Sequence, residues 1–419
     1  MAYDARAFER HYLGERASAA TAPYRVVGVQ ADRVRAAVDV VLTDAAGRRL
    51  VVFCERRVPG AECLAATTHL NVSYYAEAGV DSAEAARVTR ALAAALAARE
   101  AELSDAELAE VLTFSGREIG NPRRALELRI NRECNEACAF CNTPADSETL
   151  LVDPAGVEAL LRAEAATGCR AVLFTGREPT LEPRLPRYLE LARSLGYEHR
   201  RVQTNGTSFA SPEVVARLTA AGMNEVEVSF HTTSEETFER LVGKRHLLDR
   251  TAQGIRNVLA AGLRCQLIVV ITRWNAREVP ALVGDLRRRF PGLERVVLSP
   301  VAPVGDAAAR PELWPPLGEL GEVTSAALRA ARAAGLAAHV PSRCGLPLCL
   351  LEPDVRDASD ELENAPGETV EAGKAYAPAC ARCAERGRCT GVWAAYLAEL
   401  GDTALRPLAE AALAHRDRR

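Results

Sequence analysis

The sequence predicts an α/β protein whose central part contains a parallel sheet covered by helices. From residue 125 onward, short apolar runs alternate with amphipathic stretches, which is the pattern of repeated β/α units. The runs are almost continuously apolar, as expected of strands that are buried on both faces. The predicted strands span residues 125–131, 170–176, 199–205, 225–231, 264–272 and 295–300.

These six units fit two arrangements, an open doubly wound sheet or a barrel of fewer than eight units. Both arrangements place functional residues at the carboxyl ends of the strands. Amphipathic helices are predicted between the strands, and one more helix is predicted over residues 324–335.

The N-terminal unit, residues 1–115, is predicted to be α+β. Alternating β-branched residues on both sides of a turn predict a hairpin within residues 36–57. Residues 82–113 are predicted to be helical, with Ser82 and Ser104 as N-caps. No catalytic motif is recognisable in this unit. Residues 114–124 contain Gly and Pro and are predicted to form a linker.

Charge and composition exclude several classes of protein. The chain of 419 residues has 52 Lys+Arg and 56 Asp+Glu, so its formal net charge is −4. This balance argues against proteins that bind nucleic acid or a membrane surface, which usually carry a basic excess. The sequence contains no apolar run long enough to span a membrane and no secretory leader, so we expect a cytoplasmic location. Disulfides are rare there, so the 12 cysteines point to metal binding, redox chemistry or burial.

Three cysteines, Cys134, Cys138 and Cys141, form a C-x3-C-x2-C loop directly after the first predicted strand of the central part. Three thiolates so close in sequence can hold one soft metal centre. A structural zinc ion requires four ligands, and a zinc site would have to take its fourth from a distant residue. A three-thiolate set instead suggests an iron–sulfur cluster with one open coordination position.

A second group of cysteines lies near the C-terminus and contains Cys344, Cys349, Cys380, Cys383 and Cys389. These soft ligands fit either an iron–sulfur cluster or a zinc ribbon. The other four cysteines occur singly, and we expect them to be ordinary core residues, since free cysteine is among the most buried residue types. They are Cys54, Cys63, Cys169 and Cys265.

Further motifs occur in order along the strand ends. Phe140 precedes the last cysteine of the first group, and residues 175–181 read TGREPTL. The third strand closes with QTNG, 203–206, and the fourth with SFH, 229–231. Together with residues 246–262, 269–275 and 296–305, these motifs resemble the radical S-adenosylmethionine (radical SAM) superfamily, whose GGEP motif is similar to residues 176–179. The resemblance covers about residues 125–310.

The resemblance implies a partial (β/α)6 TIM-like barrel. It also implies a [4Fe–4S] cluster on Cys134, Cys138 and Cys141 whose open iron binds S-adenosylmethionine (SAM). One-electron reduction would then give methionine and a 5′-deoxyadenosyl radical that abstracts hydrogen from a substrate. The residues implied in cofactor binding are Phe140, Thr175, Gly176, Glu178, Pro179, Asn205, Ser229 and Arg273.

Some of these assignments have alternatives. Asn205 can bind ribose hydroxyls or the SAM carboxylate, or simply form the turn with Gly206. Ser229 can be an ordinary strand-end hydroxyl and Arg273 a solvated side chain. His231 fits either a substrate cavity or an exposed loop. Arg177 replaces a glycine of the family motif, and a residue other than glycine does not freely take a positive φ.

The C-terminal extension, residues 336–419, resembles the auxiliary-cluster domain called SPASM, or its shorter twitch form. No cysteine follows Cys389, which departs from the SPASM pattern. The resemblance therefore implies one auxiliary [4Fe–4S] cluster held by four of the five C-terminal cysteines, and which four remains open. The acidic stretch 354–371 is interpreted as a solvated loop or as a surface for a basic partner.

Three functions are compatible with these patterns. The first is a radical SAM peptide maturase, in which the N-terminal unit and the acidic stretch present a ribosomally made precursor. The second is radical SAM oxidation or rearrangement of a small metabolite. The third is a non-catalytic iron–sulfur or zinc protein that binds a partner. The enzymatic functions require an electron donor such as flavodoxin or ferredoxin.

Overall fold

The computed structural model describes residues 5–13, 19–32, 37–56, 63–68, 70–76, 80–104, 125–143, 153–166, 168–342, 346–363 and 373–409. The chain forms two compact units. One contains residues 1–126 and 153–171, and the other contains residues 127–152 and 172–419. The predicted linker, 114–124, lies outside the described residues.

The first unit contains a five-stranded antiparallel sheet and helices that pack on it. The sheet order is β1-β2-β3-β5-β4. The elements are α1 (Ala5–Tyr12), β1 (Arg25–Asp32), β2 (Ala37–Thr43), β3 (Arg49–Arg56), β4 (Ala65–Ala66), β5 (Leu70–Ala76) and α2 (Ser82–Glu100). The pairing of β2 with β3 confirms the predicted hairpin. Its core joins Phe8 of α1, Val52 of β3 and Leu92 of α2, which are fully buried.

Helix α2 begins one residue earlier than the prediction requires. Its N-cap is Asp81, whose Oδ1 accepts a hydrogen bond from the Glu84 amide at 2.8 Å. Ser82 is therefore the first helical residue, and its prediction as N-cap was wrong. A carboxylate at position 81 satisfies the free amide of the first turn and complements the positive end of the helix dipole. Ser104 follows the end of α2, and the helix predicted after it lies outside the described residues.

The second sheet has seven strands in the order β12-β11-β10-β9-β8-β7-β6. The recorded pairs among β8 to β12 are parallel. Each strand thus lies beside its neighbour in the chain. A doubly wound sheet reverses its strand order at a switch point, so this singly wound order is that of a barrel wall. The strands are β6 (Ala125–Arg129), β7 (Ala171–Thr175), β8 (His199–Thr204), β9 (Glu225–Ser229), β10 (Arg264–Ile271), β11 (Arg295–Pro300) and β12 (Ala337–His339).

All six predicted strands are present, which confirms the mixed α/β class; β12 was not predicted. Helices alternate with the strands, as the resemblance implies. They are α3 (Pro154–Ala166), α4 (Leu185–Ser194), α5 (Pro212–Ala221), α6 (Glu235–Val242), α7 (Leu248–Ala260), α8 (Val279–Arg289) and α9 (Leu317–Ala333). Among the described residues, no helix combines the length and apolar character needed to cross a membrane.

Helix α9 begins seven residues before the predicted start at 324. The glycines at 318 and 321 make this segment resemble a loop in sequence. The structure explains Gly321, because a Cβ there would clash with the carbonyl oxygen of Leu350. The glycine permits the close approach of the C-terminal segment, which continues with short 3-10 turns, β13 (Lys374–Ala375), β14 (Val392–Trp393) and α10 (Ala394–Leu400).

The isolated cysteines mostly behave as predicted. Cys54, Cys169 and Cys265 are buried, which confirms them as core residues. Cys265 lies opposite Val226 in the β9–β10 register, among apolar neighbours. Cys63 is half-buried, and its thiol donates to Asn71 Oδ1 at 3.7 Å.

Candidate functional site

The loop that follows β6, residues 130–143, carries the first cysteine group to the carboxyl end of the sheet. Asn131 shapes its start, because its amide nitrogen donates to the carbonyl oxygens of Glu133 at 3.0 Å and Glu178 at 2.6 Å. The Ile130 amide also donates to the Thr175 carbonyl at 3.0 Å. These bonds attach the cysteine loop to the strand and turn beside it.

The rest of the loop is held by backbone hydrogen bonds. The amides of Ala137 and Ala139 donate to the last carbonyl groups of α6, each at 2.8 Å. The Asp306 amide donates to the Cys141 carbonyl at 2.8 Å. Gly305 makes this approach possible, because its φ is +57° and a Cβ there would clash with the Cys141 carbonyl. The three thiols therefore lie on a loop whose backbone is anchored at several points.

Burial raises the pKa of all three thiols. The pKa of Cys134 is raised to about 11, that of Cys138 lies well above its ordinary value, and that of Cys141 is also raised. The Cys138 thiol donates to Glu136 Oε2 at 3.4 Å, and the Cys141 thiol donates to the Thr143 carbonyl at 3.2 Å. Three adjacent thiolates in such a setting require a cationic centre to compensate their charge.

The donor set fits a soft iron–sulfur centre. Among the residues that the structure describes, no group of three or more Cys, His, Asp or Glu side chains is arranged to hold a single metal ion. The Nε of Arg177, in the turn after β7, is buried and has no hydrogen-bond partner in the described part of the chain. Three sulfur donors and a buried cationic N–H group without an acceptor fit an anionic iron–sulfur cluster.

Glu178 is fully buried and connects the turn after β7 to the end of β8. Its Oε1 accepts hydrogen bonds from the Thr180 amide at 3.0 Å, the Thr180 hydroxyl at 2.5 Å and the Thr204 hydroxyl at 2.8 Å. Its Oε2 accepts one from the Asn205 amide at 2.8 Å. Its carboxylate therefore supports the shape of two loops, whereas the sequence predicts a role in cofactor binding.

Asn205 has a similar bridging position. Its Nδ2 donates to Asn135 Oδ1 at 2.7 Å, and Asn135 Nδ2 donates to the Thr207 hydroxyl at 2.7 Å. The Thr207 amide and hydroxyl both donate to Asn205 Oδ1, at 3.0 and 2.7 Å. Asn205 thus forms the turn, as the alternative interpretation has it, and also connects that turn to the cysteine loop between Cys134 and Cys138.

The remaining predicted site residues occupy the same end of the sheet. The Thr175 hydroxyl donates to Gln203 Oε1 at 3.0 Å. Gly176 has φ +87°, and a Cβ there would clash with the backbone of Arg129, so the turn requires glycine. Pro179 begins a short 3-10 turn, and Ser229 is the half-buried last residue of β9. Arg273 has an exposed side chain, and its amide donates to the Leu313 carbonyl at 2.8 Å.

His231 is buried, so its interpretation as an exposed loop residue was wrong. The Val270 amide donates to its Nδ1 at 3.0 Å, and its ring meets that of Phe140 edge-on, with centroids 4.9 Å apart. Burial lowers the pKa of His231 to about 4. The imidazole is therefore neutral near pH 7 and supports the aromatic residue of the cysteine loop.

Residues of the second cysteine group line one small cavity. Cys349, Cys380, Cys383 and Cys389 all line it, whereas Cys344 lies outside the described residues. Burial raises the pKa of Cys349 to about 11 and raises that of Cys389 further. The amides of Leu408 and Gly391 donate to the sulfurs of Cys383 and Cys389, at 3.4 and 3.3 Å. Four soft donors with amide hydrogen bonds fit an iron–sulfur cluster better than a single zinc ion, since these side chains are not arranged around one metal position.

The acidic stretch is partly internal, which corrects its interpretation as a solvated loop. Glu361 is buried and accepts hydrogen bonds from the amides of Leu348 at 3.0 Å and Thr390 at 3.1 Å. Asp354 is exposed and pairs with Arg329 at 2.6 Å. Glu361 thus connects segments that carry the cysteines at 349 and 389, while residues 364–372 lie outside the described part.

Comparison with known proteins identifies a family that part of the chain matches. Residues 128–286, which include the first cysteine group and the turns at 176–179 and 203–206, match the family model of the Radical SAM superfamily. This segment, less than half of the chain, therefore resembles a radical SAM domain. It contains β7 to β10 and the last two residues of β6.

The curated relatives of this chain have different substrates in their names. A probable GTP 3′,8-cyclase of Saccharolobus solfataricus is 28% identical over 189 residues, which cover 45% of this chain and 60% of the relative. A PqqA peptide cyclase of Xanthomonas axonopodis pv. citri is 30% identical over 168 residues, covering 40% and 45%. The chain therefore spans only about half the length of these curated relatives.

Among solved structures, Streptococcus suis SuiB bound to precursor peptide SuiA is similar to this chain with a TM-score of 0.44 and 20% identity. The similarity covers 52% of this chain and 48% of that one.

Sequence reasoning missed several residues that shape the radical SAM site. Asn131, Asn135 and Thr207 hold the cysteine loop, and Gly305 approaches it from the loop after β11. Asn131 and Asn135 flank Cys134, which is the one local signal that could have identified them. The contribution of Gly305 comes from a distant part of the chain, and nothing in its neighbouring sequence indicates it.

Proposed function

We propose that this chain is a radical SAM enzyme whose [4Fe–4S] cluster is held by Cys134, Cys138 and Cys141. The observation that carries the proposal is the anchored loop of three half-buried cysteines beside the turns at 176–179 and 205–207. When bound, the cluster supplies an electron for cleavage of SAM to methionine and a 5′-deoxyadenosyl radical, which takes a hydrogen atom from the substrate.

The residues of the chain have distinct roles in this proposal. The three cysteines bind three irons and leave the fourth for SAM. The backbone at Gly176 and Pro179 presents peptide groups to the methionine part, with Thr175 at the start of the turn. Ser229 offers a hydroxyl at a neighbouring strand end. Glu178 and Asn205 hold the two turns in place through their internal hydrogen bonds.

Phe140 and His231 exclude water beside the cysteine loop, since the two rings pack edge to face and the histidine is buried. Arg273 has an exposed guanidinium, which suits contact with a carboxylate of SAM or substrate better than a role in the core.

We assign the four cysteines that line the C-terminal cavity to an auxiliary [4Fe–4S] cluster. Cys349, Cys380, Cys383 and Cys389 provide one thiolate for each iron, so this cluster needs no further protein ligand. With every iron bound to the protein, its role is electron transfer during a net oxidation. A low-potential donor such as flavodoxin or ferredoxin reduces the enzyme.

The proposed substrate is a ribosomally made peptide. A relative of this chain is named a PqqA peptide cyclase. The chain also has an N-terminal unit whose five-stranded sheet precedes the matched residues 128–286. The second candidate is a nucleotide or another small metabolite, which the relatives named GTP 3′,8-cyclase favour.

The chemistry is tested by anaerobic reconstitution with iron and sulfide, followed by SAM and dithionite. We expect about eight irons per chain, four for each cluster, and formation of 5′-deoxyadenosine measured by mass spectrometry. The triple variant C134A/C138A/C141A should retain about four irons and form no 5′-deoxyadenosine. The matched control C63A removes a thiol from outside both groups and should change neither value. Cleavage of SAM by the triple variant would refute the site assignment.

The substrate is tested by binding. The purified holoenzyme is titrated with GTP and with a synthetic peptide encoded by a short reading frame beside its gene. Tight binding of the peptide, together with a mass change of that peptide under turnover, supports the maturase. Binding and conversion of GTP alone would replace it with the second candidate.

A further inference from the structure

Arg177 has an unusual backbone conformation. Its φ is +46°, and His246 is the only other non-glycine residue with positive φ that the structure records among the described residues. The left-handed region is unfavourable for a residue with a side chain, because Cβ then lies too close to the following carbonyl oxygen. The radical SAM motif has a glycine at this position. A strained arginine in place of glycine suggests that its side chain has a function there.

The turn that carries Arg177 is hydrogen-bonded to the cysteine loop. The Glu178 amide donates to the Glu133 carbonyl at 3.0 Å, so Arg177 and Cys134 are each the chain neighbour of a residue in this bond. Arg177 therefore lies beside the cysteine loop. Its Nε is buried and has no hydrogen-bond partner among the described residues. A buried N–H without an acceptor is costly, so a missing anion beside Arg177 is the simplest explanation.

Two other charged side chains near the loop are already engaged. The guanidinium of Arg129, at the end of β6, is paired with Glu127 at 2.9 Å. Glu178 is satisfied by four hydrogen bonds. In the described part of the chain, Arg177 forms no recorded salt bridge. It is therefore a cation available to a new negative charge at the cysteine loop.

We propose that Arg177 is the electrostatic partner of the cluster, donating its Nε–H toward the cluster and stabilising its reduced state. The proposal rests on the proposed function, since it requires the cluster on Cys134, Cys138 and Cys141. Reduction adds one electron from the external donor and breaks no bond in the protein. A fixed positive charge beside the cluster favours the more negative state and so raises the reduction potential.

The test is a redox titration of the reconstituted holoenzyme, followed by electron paramagnetic resonance without SAM. The relevant signal is the one that C134A/C138A/C141A removes. R177Q keeps a long side chain on the same strained backbone but lacks the charge, and R177K restores the charge. R177G accepts the positive φ without strain. The control R217Q removes an exposed charge from α5.

We expect R177Q and R177G to lower the potential, so that the ratio of reduced to oxidised cluster at a given potential falls about tenfold, or about 59 mV for one electron. R177K should remain close to wild type, and R217Q should not change. A purely structural role would instead change the melting temperature and leave the potential unchanged.

An unchanged potential in R177Q, with the signal intact, would overturn the inference. Unchanged potential with a weaker affinity for SAM would assign the guanidinium to the SAM carboxylate and would also overturn it. If the wild-type protein shows no signal dependent on the three cysteines, the proposed function itself fails. The two failures are therefore distinguishable.

Discussion

Replacement of Glu178 by glutamine tests whether this residue supports the loops or binds the cofactor. The carboxylate is fully buried and accepts four hydrogen bonds, three at Oε1 and one at Oε2. A glutamine can keep the three bonds at its oxygen. Its amide nitrogen, however, is a donor and cannot accept the hydrogen bond that the Asn205 backbone N–H gives to Oε2 in the wild type.

The expected cost follows from this mismatch. A buried donor without a partner costs about 1–3 kcal/mol, and the three remaining bonds lose the strength that a charged acceptor gives. Relief of carboxylate burial offsets part of the loss, because burial raises the pKa of Glu178. We therefore expect E178Q to lower the free energy of unfolding by about 2 kcal/mol. E178A leaves four donors without an acceptor, and we expect it to lower this free energy by about 4 kcal/mol.

The assay is urea unfolding followed by tryptophan fluorescence. All three tryptophans, Trp274, Trp314 and Trp393, belong to the second compact unit, which also contains Glu178. The control E190Q makes the same change of charge at an exposed position of α4. If E178Q unfolds like wild type but binds SAM more weakly, Glu178 contacts the cofactor and our reasoning is wrong.

Three further predictions concern other positions. Burial lowers the pKa of His231 to about 4, so its stabilising effect is complete above about pH 6.5 and is lost as the pH falls toward 4. Relative to H231Q, wild type should lose about 1.4 kcal/mol of unfolding free energy between pH 7.5 and 5.5, and parallel pH curves would contradict this. Because a Cβ at position 305 clashes with the Cys141 carbonyl, G305A should reduce the iron retained after reconstitution, whereas G47A, at an open turn with φ +79°, should not. Loss of the N-cap in D81A should destabilise the first unit by about 1 kcal/mol, measured by hydrogen exchange in α2, and unchanged exchange would argue against the cap.

Local sequence was most informative where the determinant itself is local. The apolar runs predicted six strands of the parallel sheet, because a strand that is buried on both faces must be apolar along its length. The three cysteines lie within eight residues of one another, so no knowledge of the fold was needed to group them. The motifs at the strand ends then indicated the resemblance to the radical SAM superfamily, whose family model matches residues 128–286.

Errors arose where the local sequence was ambiguous and where a residue's role depends on distant segments. The sequence around Ser82 is compatible with a cap at either position, and the carboxylate of Asp81 decided it. Glu361 reads as part of a solvated acidic stretch, yet its partners are 13 and 29 residues away. The first turns of α9 were not predicted because they contain Gly318 and Gly321, and glycine has a poor intrinsic helix propensity.

The sequence by itself thus determined the α/β class, the resemblance to the radical SAM superfamily and the three thiols grouped in one loop. These properties depend on periodicity and on short spacings, which the chain carries locally. Only the tertiary structure decided the singly wound strand order, the internal roles of Glu178 and Asn205, and the grouping of four C-terminal cysteines around one cavity. These features depend on hydrogen bonds and burial between segments far apart in the chain, and no local pattern specifies such partners.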